Sequence, residues 1–275
     1  MPHRVTIYAH RGASLELPEN TLVAFERALE LGADALESDI HMTRDGHIVM
    51  SHDSNGRRCA GVPLAIRRCT LDEVRRWDAG WGKVAADGSR PFAGKGHRIA
   101  TLDEALDAFP ETPFNLDVKQ ARPSMVGPLL ELLGDHAAED RVTLASFHLR
   151  SMLAIRRRGF PHTSLTKAEV IAMLKLPESV YGALPWRGCA AQLPLSAGRH
   201  QFDTLQMIDR CHRLGLRIDY WTVNDAAAAI RLCELGADGI MTDNPAVIAP
   251  AVQAWRARQQ PTAREQSPRP ASVRP

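Results

Sequence analysis

Short apolar runs alternate with amphipathic helical stretches along almost the whole chain, and that alternation leaves few folds open. The apolar runs fall at residues 5–9, 35–40, 47–52, 114–119, 142–147, 162–165, 189–193, 217–223 and 239–242. Between them, Leu22, Phe25, Ala28 and Leu29 share one helical face. Thr70-Leu71-Asp72-Glu73, Thr101-Leu102-Asp103-Glu104 and Thr166-Lys167-Ala168-Glu169 have the form of capping boxes that open helices. Asn244-Pro245 places a cap before a proline at the first position of the last helix. About eight strand–helix units in about 250 residues predict an α/β fold, a closed (β/α)8 TIM barrel. Nine strand candidates are one too many, so one lies off the barrel or is no strand. The link before residues 47–52 is too short for an ordinary parallel crossover; it is either a hairpin or an unusual tight connection. Residues 54–100 interrupt the alternation after the third strand. Gly80, Gly82, Gly88, Gly94 and Gly96 mark them as a flexible segment of the kind that forms lids or specificity loops.

Charge and cysteine usage narrow the class. The tail, residues 256–275, carries five arginines and one glutamate; it contributes +4, which leaves the body at −2 against a total of +2. A basic nucleic-acid footprint over the fold is therefore not expected. The tail also holds Pro261, Pro268, Pro270 and Pro275, and is expected to be disordered beside a single domain over residues 1–255. Five scattered cysteines with no C-x-x-C suit a reducing compartment, and the first apolar run, Val5 to Ala9, is far too short for a signal peptide or a membrane span. A cytoplasmic protein is the expectation.

In a barrel of this kind, sites sit at the C-terminal strand ends. The polar residues that a core would exclude fall there. His10-Arg11 follow the first strand, and His52 ends the third. Glu37 and Asp39 lie two apart late in the second strand, hence on one face. That face either meets solvent or binds something positive. Asp117 and Lys119 repeat the spacing at the end of the next strand, and Trp221 ends another.

The whole set closely resembles the glycerophosphodiester phosphodiesterase family. The resemblance is carried by His10-Arg11-Gly12, Pro18-Glu19-Asn20-Thr21, Glu37-Ser38-Asp39, Thr43-Arg44-Asp45-Gly46 and His52-Asp53. Asn115-Leu116-Asp117-Val118-Lys119, Ser146-Phe147, Trp221-Thr222-Val223-Asn224 and Thr242-Asp243-Asn244-Pro245 continue it in the family's order. It implies a TIM barrel that hydrolyses glycerophosphodiesters, such as glycerophosphocholine or glycerophosphoethanolamine, to glycerol 3-phosphate and an alcohol, using Mg2+ or Ca2+. One departure stands out. The family usually has glutamate where this chain has Asp117, which draws the carboxylate back by roughly 1.5 Å.

The residues agree with that chemistry. Attack on an anionic diester needs charge neutralised at the non-bridging oxygens. Glu37, Asp39 and Asp117 make a hard oxygen site suited to Mg2+ or Ca2+ rather than Zn2+. Arg11 and Lys119 can hold phosphate oxygens, and Trp221 can wall the glycerol or the alcohol. Histidine titrates near neutrality, so His10 and His52 fit an acid–base pair. A lysophospholipid substrate would need an apolar groove or a membrane-facing patch, which Ser54–Arg98, polar and glycine-rich, does not promise. A non-catalytic phosphate-binding barrel would typically lack one of His10, His52, Glu37 or Asp39, and all four are present.

Overall fold

The computed structural model describes residues 4–184 and 188–259. The elements run β1 (Thr6–His10), α1 (Leu22–Glu30), β2 (Ala35–Met42), β3 (Ile48–Met50), α2 (Arg57–Ala60), α3 (Leu71–Val74), α4 (Leu102–Ala108), β4 (Phe114–Val118), α5 (Val126–Asp135) and β5 (Val142–Ala145). They continue α6 (Leu149–Arg157), α7 (Lys167–Lys175), α8 (Glu178–Gly182), β6 (Ala190–Pro194), β7 (Ser196–Ala197), β8 (His200–Gln201), α9 (Leu205–Arg213), β9 (Arg217–Trp221), α10 (Ala226–Leu235), β10 (Gly239–Thr242) and α11 (Pro245–Gln259).

Seven strands form one curled parallel sheet in the order β5-β4-β2-β1-β10-β9-β6. Between its two edges, Thr163 bridges to Leu144 of β5 and Ser164 bridges to Ala190 of β6, both parallel. Residues 162–165 thus span the gap as a stave too short to count as a strand. The surplus candidate is β3, which pairs antiparallel with β2 as a hairpin, Ile40 opposite Met50, and lies off the parallel path. The short turn through Asp45-Gly46 allows nothing longer.

The capping boxes at Thr70, Thr101 and Thr166 all form, each threonine accepting from the backbone of the glutamate three residues on. Thr21 caps α1 and Asp225 caps α10, each side chain accepting from the backbone three residues on. α1 buries Ala24, Phe25 and Ala28 against the sheet. Burying a phenylalanine contributes about 2–3 kcal/mol, so Phe25→Ala should cost about 3–5 kcal/mol once its cavity is counted.

Two expectations need correction. Residues 54–100 are not a loose lid. Cys59, Ile66, Val74, Trp77 and Ile99 form a small apolar core of their own under Val49 of β3. Gly80 and Gly82 are there because backbone passes too close for a side chain: a Cβ on Gly82 would lie 2.6 Å from the Cys59 carbonyl oxygen. The second correction is the start of the tail. α11 continues through Gln259, and Arg256 inside it pairs with Asp34 and donates to the Val5 carbonyl. Residues 260–275 lie outside the described residues. Among the described residues no helix is long and apolar enough to cross a membrane.

Candidate active site

Strand register assembles the site. His10 at the end of β1 is in register with Glu37 of β2, and Asp39 of β2 is in register with Asp117 of β4. Side chains two apart share a face, so Glu37 and Asp39 point the same way. Both reach a cavity of about 970 Å³ that His10, Arg11, His52, Asp117, Lys119 and Trp221 also line. Every residue picked from the sequence for this site therefore meets at one opening.

The turn after β1 is held open for this purpose. Arg11 adopts a left-handed φ of 59°, and Gly12 follows at 84°. A Cβ on Gly12 would sit 2.7 Å from the Ala24 backbone, so only glycine lets α1 approach there. The turn aims the Arg11 guanidinium at Asp39, 3.1 Å away, and at Glu19, 3.4 Å away.

Each histidine is clamped by an aspartate. His10 Nδ1 lies 2.6 Å from Asp243 Oδ1 and His52 Nδ1 lies 2.7 Å from Asp53 Oδ1. A carboxylate on Nδ1 fixes the ring and leaves Nε2 as the nitrogen that can meet substrate. Asp243 is itself held by Ser14 and Asn224, and Asp53 by Arg58, which also forks onto Glu19. Residues 54–100 thus brace His52 instead of covering it. Burial opposes a charge on His10, but Glu37, 3.8 Å from Nε2, and the bond to Asp243 raise its pKa. Asp243 is pulled the other way, to about 2: burial opposes this, and the His10 and Asn224 hydrogen bonds outweigh it.

The three carboxylates differ. Burial, with Asp39 and Asp117 nearby, pushes the Glu37 carboxyl up. Burial also raises Asp117, against the pull of Lys119. Asp39 is lowered despite burial, because Lys119 and Arg11 flank it. Lys119 Nζ sits between Asp39 at 2.8 Å and Asp117 at 2.6 Å. One oxygen of each carboxylate, Glu37 Oε2, Asp39 Oδ2 and Asp117 Oδ1, is buried without a hydrogen bond. Among the described residues, no three histidine, cysteine or acidic side chains stand close enough together to hold a metal ion as arranged.

Asp53, Asp243, Glu19 and Asn224 were not singled out for the site from the sequence. The aspartates beside His52 and Thr242 were visible, but their partners were not. The cavity extends well beyond the reacting groups. Phe147, Val170, Ile171, Leu174, Phe202 and Met207 line its outer part. Most of that wall comes from α7 and the stretch from the β7–β8 hairpin into α9, not from residues 54–100.

Residues 10–247 match the model of the glycerophosphoryl diester phosphodiesterase family. A glycerophosphodiester phosphodiesterase from Caldanaerobacter subterraneus subsp. tengcongensis is 30% identical over 88% of this chain and 95% of its own. A human lysophospholipase D is 28% identical over 86% of this chain and 82% of its own. An Oleispira antarctica phosphodiesterase, solved with its product sn-glycerol-3-phosphate, superposes with a TM-score of 0.72 at 21% identity, covering 90% of this chain and 96% of that one. These likenesses run from His10 into the last helix, so the chain belongs to the glycerophosphoryl diester phosphodiesterase family of hydrolases.

Proposed function

We propose that this enzyme cleaves glycerophosphodiesters to glycerol 3-phosphate and an alcohol, with His10 and His52 as its acid–base pair. The observation that carries the reading is the matched clamp on the two rings, Asp243 on His10 and Asp53 on His52, each turning Nε2 toward the same cavity. One imidazole takes the proton of the attacking hydroxyl, and the other returns a proton to the departing alkoxide. Arg11 and Lys119 hold the non-bridging oxygens, Arg11 by its fork and Lys119 as a point charge. Trp221 walls the substrate beside them.

The buried oxygens of Glu37, Asp39 and Asp117 that accept no hydrogen bond, that of Asp39 facing Arg11 Nε at 3.1 Å, are the hard donors a divalent cation would take. Mg2+ or Ca2+ held by these three would polarise the phosphoryl oxygens and offset the burial that raises Glu37 and Asp117. For that, Lys119 must turn from its place between Asp39 and Asp117 toward the phosphate. Cleavage in heavy-oxygen water tests the reading: label should enter glycerol 3-phosphate, and label in free glycerol would contradict it.

A second reading extends the substrate. The apolar wall of Val170, Ile171, Leu174 and Phe147 suits an acyl chain on the glycerol side, so lysophospholipids are proposed as additional substrates. Ile171 and Leu174 are about 40% exposed on α7, which buries Glu169 and Met173. Comparing turnover of a lysophospholipid with that of its deacylated diester checks this.

A further inference from the structure

A second cavity of about 790 Å³ lies beside the first, and Lys119 lines both. Its wall is basic. Arg67 comes from the 3-10 turn Ile66–Arg68, Arg122 from the loop after β4, and Arg150 from the first turn of α6, with His148 at the head of that helix. No carboxylate lines it. Among the described residues none of these three guanidiniums has an ion-pair partner. Of the other arginines in residues 44–100, Arg44 pairs with Glu73, Arg58 with Glu19 and Asp53, and Arg75 with Glu104, while Arg57, Arg68, Arg76, Arg90 and Arg98 form no ion pair among the described residues. Three separate elements thus bring exposed cations without ion-pair partners to one hollow, which suits an anion.

We infer that this basic cavity is the leaving-alcohol arm of the active site, and that it takes an alcohol carrying a second oxyanion, such as a polyol phosphate. The inference rests on the diesterase reading above. With the reacting phosphate at Lys119, its two substituents pass into the two cavities. The apolar cavity suits the glycerol side, where an acyl chain would hang. The basic one then receives the head group. A phosphate there meets guanidinium forks in charge-assisted hydrogen bonds. Choline or ethanolamine would instead bring an ammonium beside three guanidiniums. The expected order of preference is anionic, then neutral, then cationic head groups.

The test compares kcat/KM on glycerophosphoinositol phosphate, glycerophosphoinositol and glycerophosphocholine. The proteins are wild type, Arg122→Ala, Arg150→Ala and the triple variant that adds Arg67→Ala. Wild type should favour the phosphorylated head group over choline by at least about tenfold. Each substitution should cut that ratio by about tenfold, the scale of one hydrogen bond to a charged group. High salt should compress the ratio in wild type more than in the triple variant. Direct calorimetric binding of inositol phosphate to wild type, weakened in the triple variant, would support the arm without reference to turnover. Hydrolysis of all three diesters with no head-group preference overturns this inference alone. So does a triple variant that loses all three substrates equally, or one that loses only binding to phosphatidylglycerol vesicles while the soluble preference persists. Hydrolysis of none by wild type overturns the diesterase reading, and this inference with it.

Discussion

The floor of the active site and its rim are built by different means. The floor is carried by strands: His10, Glu37, Asp39 and Asp117 sit on β1, β2 and β4, and backbone register sets their spacing. The rim is carried by what joins the strands. α7 gives Ile171 and Leu174, the loop after β4 gives Arg122, and the segment after β3 gives Arg67. The difference separates two properties. A ladder fixes side chains tightly enough for proton transfer, where small displacements are costly. Loops and helix faces can change without disturbing that ladder, so they suit substrate choice.

The comparison is broken most directly at the histidines. His10→Ala and His52→Ala should each lower kcat by at least about a hundredfold on every diester tested. The double variant should be little worse than either single, because the two act as a unit. Near-normal turnover in either single variant would remove that histidine from the acid–base pair.

The far end of the barrel offers a control. Arg256 ties α11 to Asp34 and to the carbonyl of Val5, away from all site residues. Arg256→Met should cost about 1–3 kcal/mol of unfolding free energy, because Asp34 is left partly buried with fewer donors. Turnover below the new melting temperature should be unchanged. Truncation after Gln259 should affect neither.

A rim change should act on one substrate class. Leu174→Asp, alone or with Ile171→Asp, should reduce kcat/KM on a lysophospholipid by about tenfold relative to its deacylated diester. Equal losses on both substrates would mean that the wall belongs to the floor.

The smallest effect is acid sensitivity of the floor. The Asp243 carboxyl lies below its ordinary value, at about 2, so its folded pKa is lower than its unfolded one. Its contribution is present above about pH 4 and is lost as pH falls toward about 2. Screened by partial exposure, it amounts to about 1 kcal/mol. Chemical denaturation of wild type and Asp243→Asn across that window should show the wild type losing more.

Much of the floor was legible because local pattern decides it. Period-two acids on a strand and histidines at strand ends need no distant partner to be noticed. The clamp on His10 was not legible, since Asp243 lies 233 residues away and only closure of the sheet brings it to the ring. Residues 54–100 misled for a related reason. Glycine marks both loose chain and close backbone contact, and Gly80 and Gly82 are the second kind. Nothing in the sequence marked Ile171 and Leu174, because sequence does not say whether an apolar helix residue meets a core or a cavity. Residues 162–165 read as a strand from their apolar character, yet the ladder there amounts to two bridges.

The most direct test of the floor as a metal-assisted diesterase is release of glycerol 3-phosphate from glycerophosphoinositol, before and after chelation. The assay should be run on wild type, Asp117→Asn and Asp117→Glu, with Mg2+ or Ca2+ added back. The account predicts turnover that is lost on chelation and restored by the cation. Asp117→Asn should need more cation than wild type, and Asp117→Glu no more than wild type. Turnover indifferent to the chelator, or the same cation dependence in wild type and Asp117→Asn, would contradict it.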